Sequence, residues 1–130
     1  MLSVTTIEDF LSALYHALRA ARRRYVIQFL QESDEVTHTT RDLARKIASL
    51  EQDVPADQAT GEPYRNAYNA LSQTHLPTLS DAGIIVYDSE RQTVCRGTNF
   101  QIAAVLLDAN TPTVDLFQSL LEEMSDDGDR

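Results

Sequence analysis

The 130 residues suffice for one hydrophobic core but not two, and 42% hydrophobic residues with only four Gly and four Pro mark a folded chain. Twenty acidic residues against 11 basic give a formal net charge of -9, and Lys46 is the single lysine, an acidic, lysine-poor balance expected of a salt-adapted protein. One cysteine, Cys95, excludes an internal disulfide and a multi-cysteine metal site, and no apolar run approaches the roughly 18 to 20 residues that span a bilayer.

Met1 to Phe10 holds acidic residues and no basic stretch, so it does not read as a signal peptide, and a reducing cytoplasm is the expected location. Thr5 and Glu8 have capping-box spacing. Beyond them Ile7, Phe10, Leu11, Leu14 and Leu18 recur at helical intervals and predict an amphipathic helix ending near Ala20. After Arg22, Arg23 and Arg24, the set Tyr25, Val26, Phe29 and Leu30 predicts a second helical segment, closed by the polar cluster Glu32 to Glu35. The spacing leaves open whether the two helices are continuous. Three successive helical residues span about 200°, so the arginines cannot all face one partner, and at least one is expected to pair with a carboxylate inside the protein.

Thr39 or Thr40 can cap a short third helix with Leu43, Ala44 and Ile47 inward, and Thr39 with Asp42 again has capping-box spacing. Glu51 to Pro63, with two Pro, one Gly and no apolar period, predicts a long loop. Tyr64, Ala67, Tyr68, Leu71 and His75 line one face of a fourth helix. It is expected to stop around Leu76-Pro77, because proline disfavours helical geometry in the residue before it. Gly83 suits a positive φ. Ile84 to Tyr87, the polar turn Asp88 to Gln92, and Thr93 to Cys95 then predict a β-hairpin. Two further helices follow. Asn99 to about Leu107 places Phe100, Ala103, Ala104 and Leu107 on one face; Pro112 to Met124, capped by Thr111, carries the stripe Val114, Phe117, Leu121 and Met124 beside Leu116 and Leu120.

Helices followed by a hairpin give the plan of a winged helix domain. The expected fold class is mainly α with a β-hairpin wing (α+β), a winged helix-turn-helix with extra N- and C-terminal helices. Residues 1–96 are assigned to the winged domain, 97–124 to the C-terminal helices, and 125–130 to a disordered acidic tail. Four segments carry a closer likeness: Arg22 to Val26, Thr40 to Ala44, Tyr68 with Gln73 to Leu79, and Asp81 to Asp88. Most specific is Thr74-His75-Leu76-Pro77 followed by Asp81-Ala82-Gly83. On these segments, which together cover roughly residues 14 to 96, the chain resembles a haloarchaeal winged helix-turn-helix family of predicted transcriptional regulators. Ala20-Ala21 stands where members of that family commonly have Asn-Pro. The resemblance implies DNA binding, with no particular operator or effector.

In a winged helix domain the third core helix enters the major groove, here the helix from Tyr64. Its outward residues would be Arg65, Asn66, Asn69, Ser72 and Gln73; Arg suits guanine, and Asn and Gln suit adenine. Thr39, Thr40 and Arg41 open the preceding helix, whose N-terminal amides favour a phosphate, with Arg45 one turn on. Arg91 at the hairpin turn is the wing-tip candidate. The net charge argues against nucleic acid, yet Arg19 to Lys46 holds seven basic residues against four acidic, while from Asp108 onward seven acidic residues face Arg130 alone. A locally positive surface is therefore compatible with the composition. Val114, Phe117, Leu120, Leu121 and Met124 are expected to pair with a second chain, making a two-fold reader of double-stranded DNA.

His16, His38 and His75 have no ligand spacing, and Cys95 is expected to be a small buried side chain rather than an oxidant sensor. There is no phosphate loop, nucleophile elbow or paired-carboxylate motif, so neither an enzyme nor a metal, cofactor, small-molecule or membrane partner is inferred. The expectation is a sequence-specific DNA-binding transcriptional regulator, acting as a homodimer. The alternative is a winged-helix protein interaction module without DNA binding.

Overall fold

The first apolar stripe forms α1 (Val4–Leu18), and a break at Arg19 and Ala20 precedes α2 (Ala21–Glu32). The computed structural model describes the backbone of residues 4–128 and the side chains of residues 6–108 and 119–124. Thr5 lies inside α1 and not at its cap. The last carbonyls of a helix lack intrahelical partners, and at the end of α1 the expected triple arginine supplies them. Arg23, only 6% exposed, donates to the carbonyls of Ala17 (2.7 Å) and His16 (3.1 Å), and Arg24 to those of Leu18 and Arg19 (2.8 Å each). Arg22 points the other way. Its guanidinium forms a two-pronged pair with Glu51, 2.7 and 2.9 Å, as expected of one member of the triplet.

The chain then runs through β1 (His38–Thr39) into α3 (Thr40–Gln52). Thr39 caps α3, its Oγ1 accepting the Asp42 N–H at 3.1 Å. The apolar repeat Leu43, Ala44, Ile47 and Ala48 is buried, and it carries the helix past the predicted loop start at Glu51 to a left-handed cap at Asp53 (φ 56°). Within the remaining connection, Ala56–Gln58 forms a single 3₁₀ turn and Ala59 is buried. α4 (Glu62–Ala70) follows, with Pro63 in its first turn.

The expected stop at Leu76-Pro77 does not occur. Residues Leu71–His75 form a π-helical turn that runs directly into α5 (Leu76–Asp81). The Leu76 N–H reaches back five residues to the Leu71 carbonyl. The next bond in that register would have to come from Pro77, which has no N–H, so the Ser72 carbonyl loses that partner and faces the Tyr87 hydroxyl at 3.4 Å. Widening the helix by one residue thus lets proline pass without ending it. His75 belongs to this turn, and its Nδ1 lies 3.3 Å from the Arg23 guanidinium.

β2 (Ile85–Asp88) and β3 (Thr93–Arg96) make the hairpin, and β1 pairs with β3 to give an antiparallel sheet of order β1-β3-β2. The strand at His38 and Thr39 was not predicted; two residues are too few for an alternating pattern to register. A glycine joint then turns the chain into the last helix. Gly83 has φ 73°, and a Cβ on Gly97 would lie 2.5 Å from the Gly83 carbonyl oxygen. Gly97 N–H donates to Ile84 (2.8 Å), Asn99 N–H to Gly83 (2.8 Å), and the Asn99 side chain to Ala82 (2.9 Å).

Two C-terminal helices were expected; the backbone instead forms one, α6 (Phe100–Gly128), running through Pro112 and beyond the predicted end at Met124 into the segment assigned as tail. A proline inside a helix removes one backbone bond and does not by itself demand an end. Asp129 and Arg130 lie outside the described residues. Arg96 repeats the role of Arg23 and Arg24: it sits over the Phe100 ring at 4.7 Å and donates to the carbonyls of Leu30, Gln31 and Ser33 where α2 ends.

The core joins Leu14, Ala17 and Leu18 of α1, Val26, Ile27 and Leu30 of α2, the inward faces of α3 and α4, Leu76 and Leu79, Ile84, Ile85 and Val94, and the expected Phe100, Ala103, Ala104 and Leu107. The molecule is mainly α with a small antiparallel sheet, a winged helix arrangement with additional helices at both ends. Among the described residues, no helix is long and apolar enough to cross a membrane.

Gly97→Ala would drive a methyl group into backbone that cannot move aside, and a loss of about 2–4 kcal/mol is expected in urea unfolding. A guanidinium only donates, so His75 must present an unprotonated Nδ1 to Arg23. Burial, then the charges of Arg23 and Arg22, hold its pKa below the ordinary 6.5. The unfolded chain therefore takes up this proton at higher pH than the native protein does. The contribution to stability is complete above about pH 6.5 and declines as pH falls through the native value. Melting followed between pH 7.5 and 5.5 should show this decline, and His75→Gln should remove its part of the slope.

Candidate nucleic-acid interface

Along α4 and the π-helical turn, Ala67 and Leu71 are fully buried while Tyr68 and His75 are half-buried, the inward face that the spacing predicted. Arg65, Asn66, Asn69 and Gln73 are exposed. Arg65, Asn69 and Gln73 recur every four residues and so form one file along the helix. Ser72 is half-buried, and its hydroxyl donates back to the Asn69 carbonyl at 3.3 Å, so it stands at the edge of this face. The file offers a guanidinium and side-chain amides, groups that match the acceptor and donor edges of bases in a wide groove.

The start of α3 lies alongside but is less open to an anion than expected. Thr40 is fully buried, a correction to its assignment as a contact residue: its Oγ1 donates to Gln92 Oε1 at 2.8 Å. Of the first amides of α3, the Thr40 N–H is taken by the Gln92 carbonyl (3.0 Å) and the Asp42 N–H by Thr39. The Arg41 N–H and the exposed Arg41 side chain remain available, beside the hydroxyl proton of exposed Thr39. Arg45, one turn on, lies 5.9 Å over the Tyr64 ring, and Tyr64, Arg65, Tyr68 and Asn69 line a shallow depression of about 290 Å³. Arg45 thereby joins the α3 surface to the first turn of α4.

At the hairpin turn the Arg91 side chain is exposed to 83%, with Nε 3.9 Å from Asp88 Oδ2. Asp88 Oδ1 organises the turn by accepting the N–H groups of Glu90 (3.0 Å) and Arg91 (3.1 Å). Asp88 and Glu90 make the wing tip net acidic around Arg91, so this cation meets a phosphate against opposition from its own loop. Gln92, at the end of the turn, was not singled out in the sequence. It adopts a left-handed conformation (φ 54°), and its side-chain oxygen accepts from Thr40 and from the Tyr87 hydroxyl (2.9 Å), while its amide nitrogen donates to the Ser89 carbonyl (2.9 Å). No local pattern marks such a residue, because its partners are 52 and 5 positions away.

Burial and hydrogen bonding divide the cations. Arg22, Arg23, Arg24 and Arg96 serve the fold, and Lys46 lies 5.7 Å over the Phe29 ring. Arg41, Arg65 and Arg91 point to solvent, with Arg45 over Tyr64, and all four are among the predicted contact residues; Arg19, at the break after α1, is also exposed and was not among them. Exposed acidic groups on the same elements are Asp42, Glu62 and Glu90, with Glu51 paired to Arg22 at the far end of α3.

Elsewhere, Cys95 is half-exposed and not buried as expected; its Sγ is 3.6 Å from Thr37 Oγ1, beside a groove of about 430 Å³. His38 is buried, its Nε2 3.1 Å from the Glu35 carbonyl. Among the described residues, no group of three His, Cys, Asp or Glu side chains is placed to hold a metal ion. Of the expected pairing stripe, Leu120, Leu121 and Met124 are 49%, 55% and 69% exposed. The side chains of Val114 and Phe117 lie outside the described residues.

No curated protein and no solved structure matches this chain. A family model described as a domain of unknown function (DUF7344) matches residues 15–95, from the second half of α1 to β3, and so covers the break after α1, the exposed file on α4 and the hairpin. With more than half of the 130 residues matched, the chain belongs to the DUF7344 family.

Proposed function

We propose that this protein is a transcriptional regulator of a salt-adapted cytoplasm that binds double-stranded DNA as a homodimer, with α4 in the major groove. The observation that carries this reading is the exposed file Arg65, Asn69 and Gln73 on the helix that a winged helix domain inserts into DNA. Arg41 and Arg91 on the flanking elements are exposed, and together with Arg45, which rests over Tyr64, they would take backbone phosphates. At 1 M salt the screening length is about 3 Å, so long-range attraction counts for little. Base contacts and groove shape then carry the specificity, and a net charge of -9 is less of an obstacle than in dilute buffer.

The dimer reading rests on where the apolar surface lies. Ile7, Phe10 and Tyr15 of α1 and Ile102, Val105, Leu120, Leu121 and Met124 of α6 are large hydrophobic side chains left exposed on the two terminal helices. A two-fold pairing there would present two copies of α4 to a palindromic site.

Binding of the purified protein to fragments of its own genome, in high salt, tests the first part. Each lost base contact costs about 1–3 kcal/mol, so Arg65→Ala with Gln73→Ala should weaken the specific complex roughly 30-fold or more while leaving the melting temperature unchanged. A wild type without sequence preference at any salt would sink the regulator reading and favour a protein interaction module. Light scattering tests the second part: the wild type should run at twice the 14.6 kDa chain mass, and Leu121→Glu with Met124→Glu at the single mass.

A further inference from the structure

We infer that Gln92 is the positioning residue of the interface, fixing the wing against α3 and the reading helix so that Arg91 reaches a phosphate in register with the bases read by α4. The inference rests on the DNA-binding reading above and adds to it a residue that touches no DNA.

Its basis is the convergence of separate elements on one side chain. Thr40 opens α3, Tyr87 sits on β2, and Ser72 lies in the π-helical turn that ends the reading file. The Gln92 side-chain oxygen accepts the Thr40 hydroxyl at 2.8 Å and the Tyr87 hydroxyl at 2.9 Å; its backbone carbonyl accepts the Thr40 N–H at 3.0 Å; and Tyr87 also lies 3.4 Å from the Ser72 carbonyl. Each hydroxyl has one proton, and the shorter distance in each case is to Gln92 Oε1. The amide nitrogen also donates to the Ser89 carbonyl within the turn. Both lone-pair directions of Oε1 are thus occupied by donors, which fixes the orientation of the amide as well as its place.

The backbone supports the same conclusion. Gln92 holds φ 54°, a conformation in which residues other than Gly, Asn and Asp are uncommon. Such a conformation persists only where the surroundings over-determine it, and here the Thr40 and Tyr87 contacts do so. Arg91 is the next residue back. Its exposed guanidinium approaches Asp88 at 3.9 Å, and its backbone is held on one side by Asp88 Oδ1, which accepts the Arg91 N–H, and on the other by the anchored Gln92.

The test is a double-mutant cycle between Gln92→Ala and Arg91→Ala, read by the salt dependence of binding to a fragment that the wild type selects. In the wild-type background Arg91→Ala should weaken binding about tenfold and lower the slope of log affinity against log salt by about 1. Gln92→Ala, which keeps the arginine and the same backbone demand, should produce the same slope change. In its presence Arg91→Ala should then cost nothing further. A purely structural role for Gln92 would leave the slope unaltered, and additive losses would likewise overturn the inference while leaving the DNA reading intact. Should Gln92→Ala fail to fold, Tyr87→Phe, which retains the ring and deletes only the hydroxyl, is put through the same cycle. A wild type that selects no fragment overturns both readings.

Discussion

The buried guanidinium of Arg23 is the constraint on which the rest of the arrangement depends. A guanidinium keeps its charge, so it can be buried only where enough acceptors converge. Here they are two carbonyls at the end of α1 and the ring nitrogen of His75. Meeting that demand fixes where α1 must stop, the direction in which α2 leaves, and the distance at which the π-helical turn sits. The helix made by α4 and the π-helical turn is thereby tied at its back to the N-terminal helices, through a residue that three consecutive arginines in the sequence do not distinguish from its neighbours. Burial lowers the pKa of both partners, with Arg19 adding to the effect on Arg23, and the pair survives because the histidine gives up its proton.

Most of the fold was legible because its helices obey a strict apolar period. Leu43, Ala44 and Ile47, then Ala67 and Leu71, then Phe100, Ala103, Ala104 and Leu107 were placed inward by spacing, and all are buried. The turn chemistry was equally plain: Thr39 caps, and Gly83 takes a positive φ. Proline was misread twice, at Pro77 and at Pro112, because its rule concerns one missing N–H and one clash, and a helix can absorb both by a local change of register or by losing one bond. Strand β1 escaped notice because two residues pair only by virtue of β3, which lies more than fifty residues away.

The candidate interface was partly legible for a related reason. Exposure on a helix follows from its period, so Arg65, Asn66, Asn69 and Gln73 could be named, whereas the inward turn of Thr40 depends on Gln92, a long-range partner. The arginines divide along the same line. Those that terminate helices are consumed by carbonyls close in sequence or in space, whereas Arg41, Arg65 and Arg91 on α3, α4 and the wing stay exposed. In a chain with one lysine, the planar, many-donor guanidinium serves both as helix terminator and as surface cation. Composition alone could not separate these uses.

The glycine joint between the hairpin and α6 has a mechanical meaning. Gly97 and Asn99 bond directly to the carbonyls of Ile84, Gly83 and Ala82, so α6 leaves the sheet without any linker that could swivel. A lever welded to its base transmits angle as well as load. The first turns of α6 therefore hold a set bearing relative to the wing, and whatever presses on them acts on the hairpin as well.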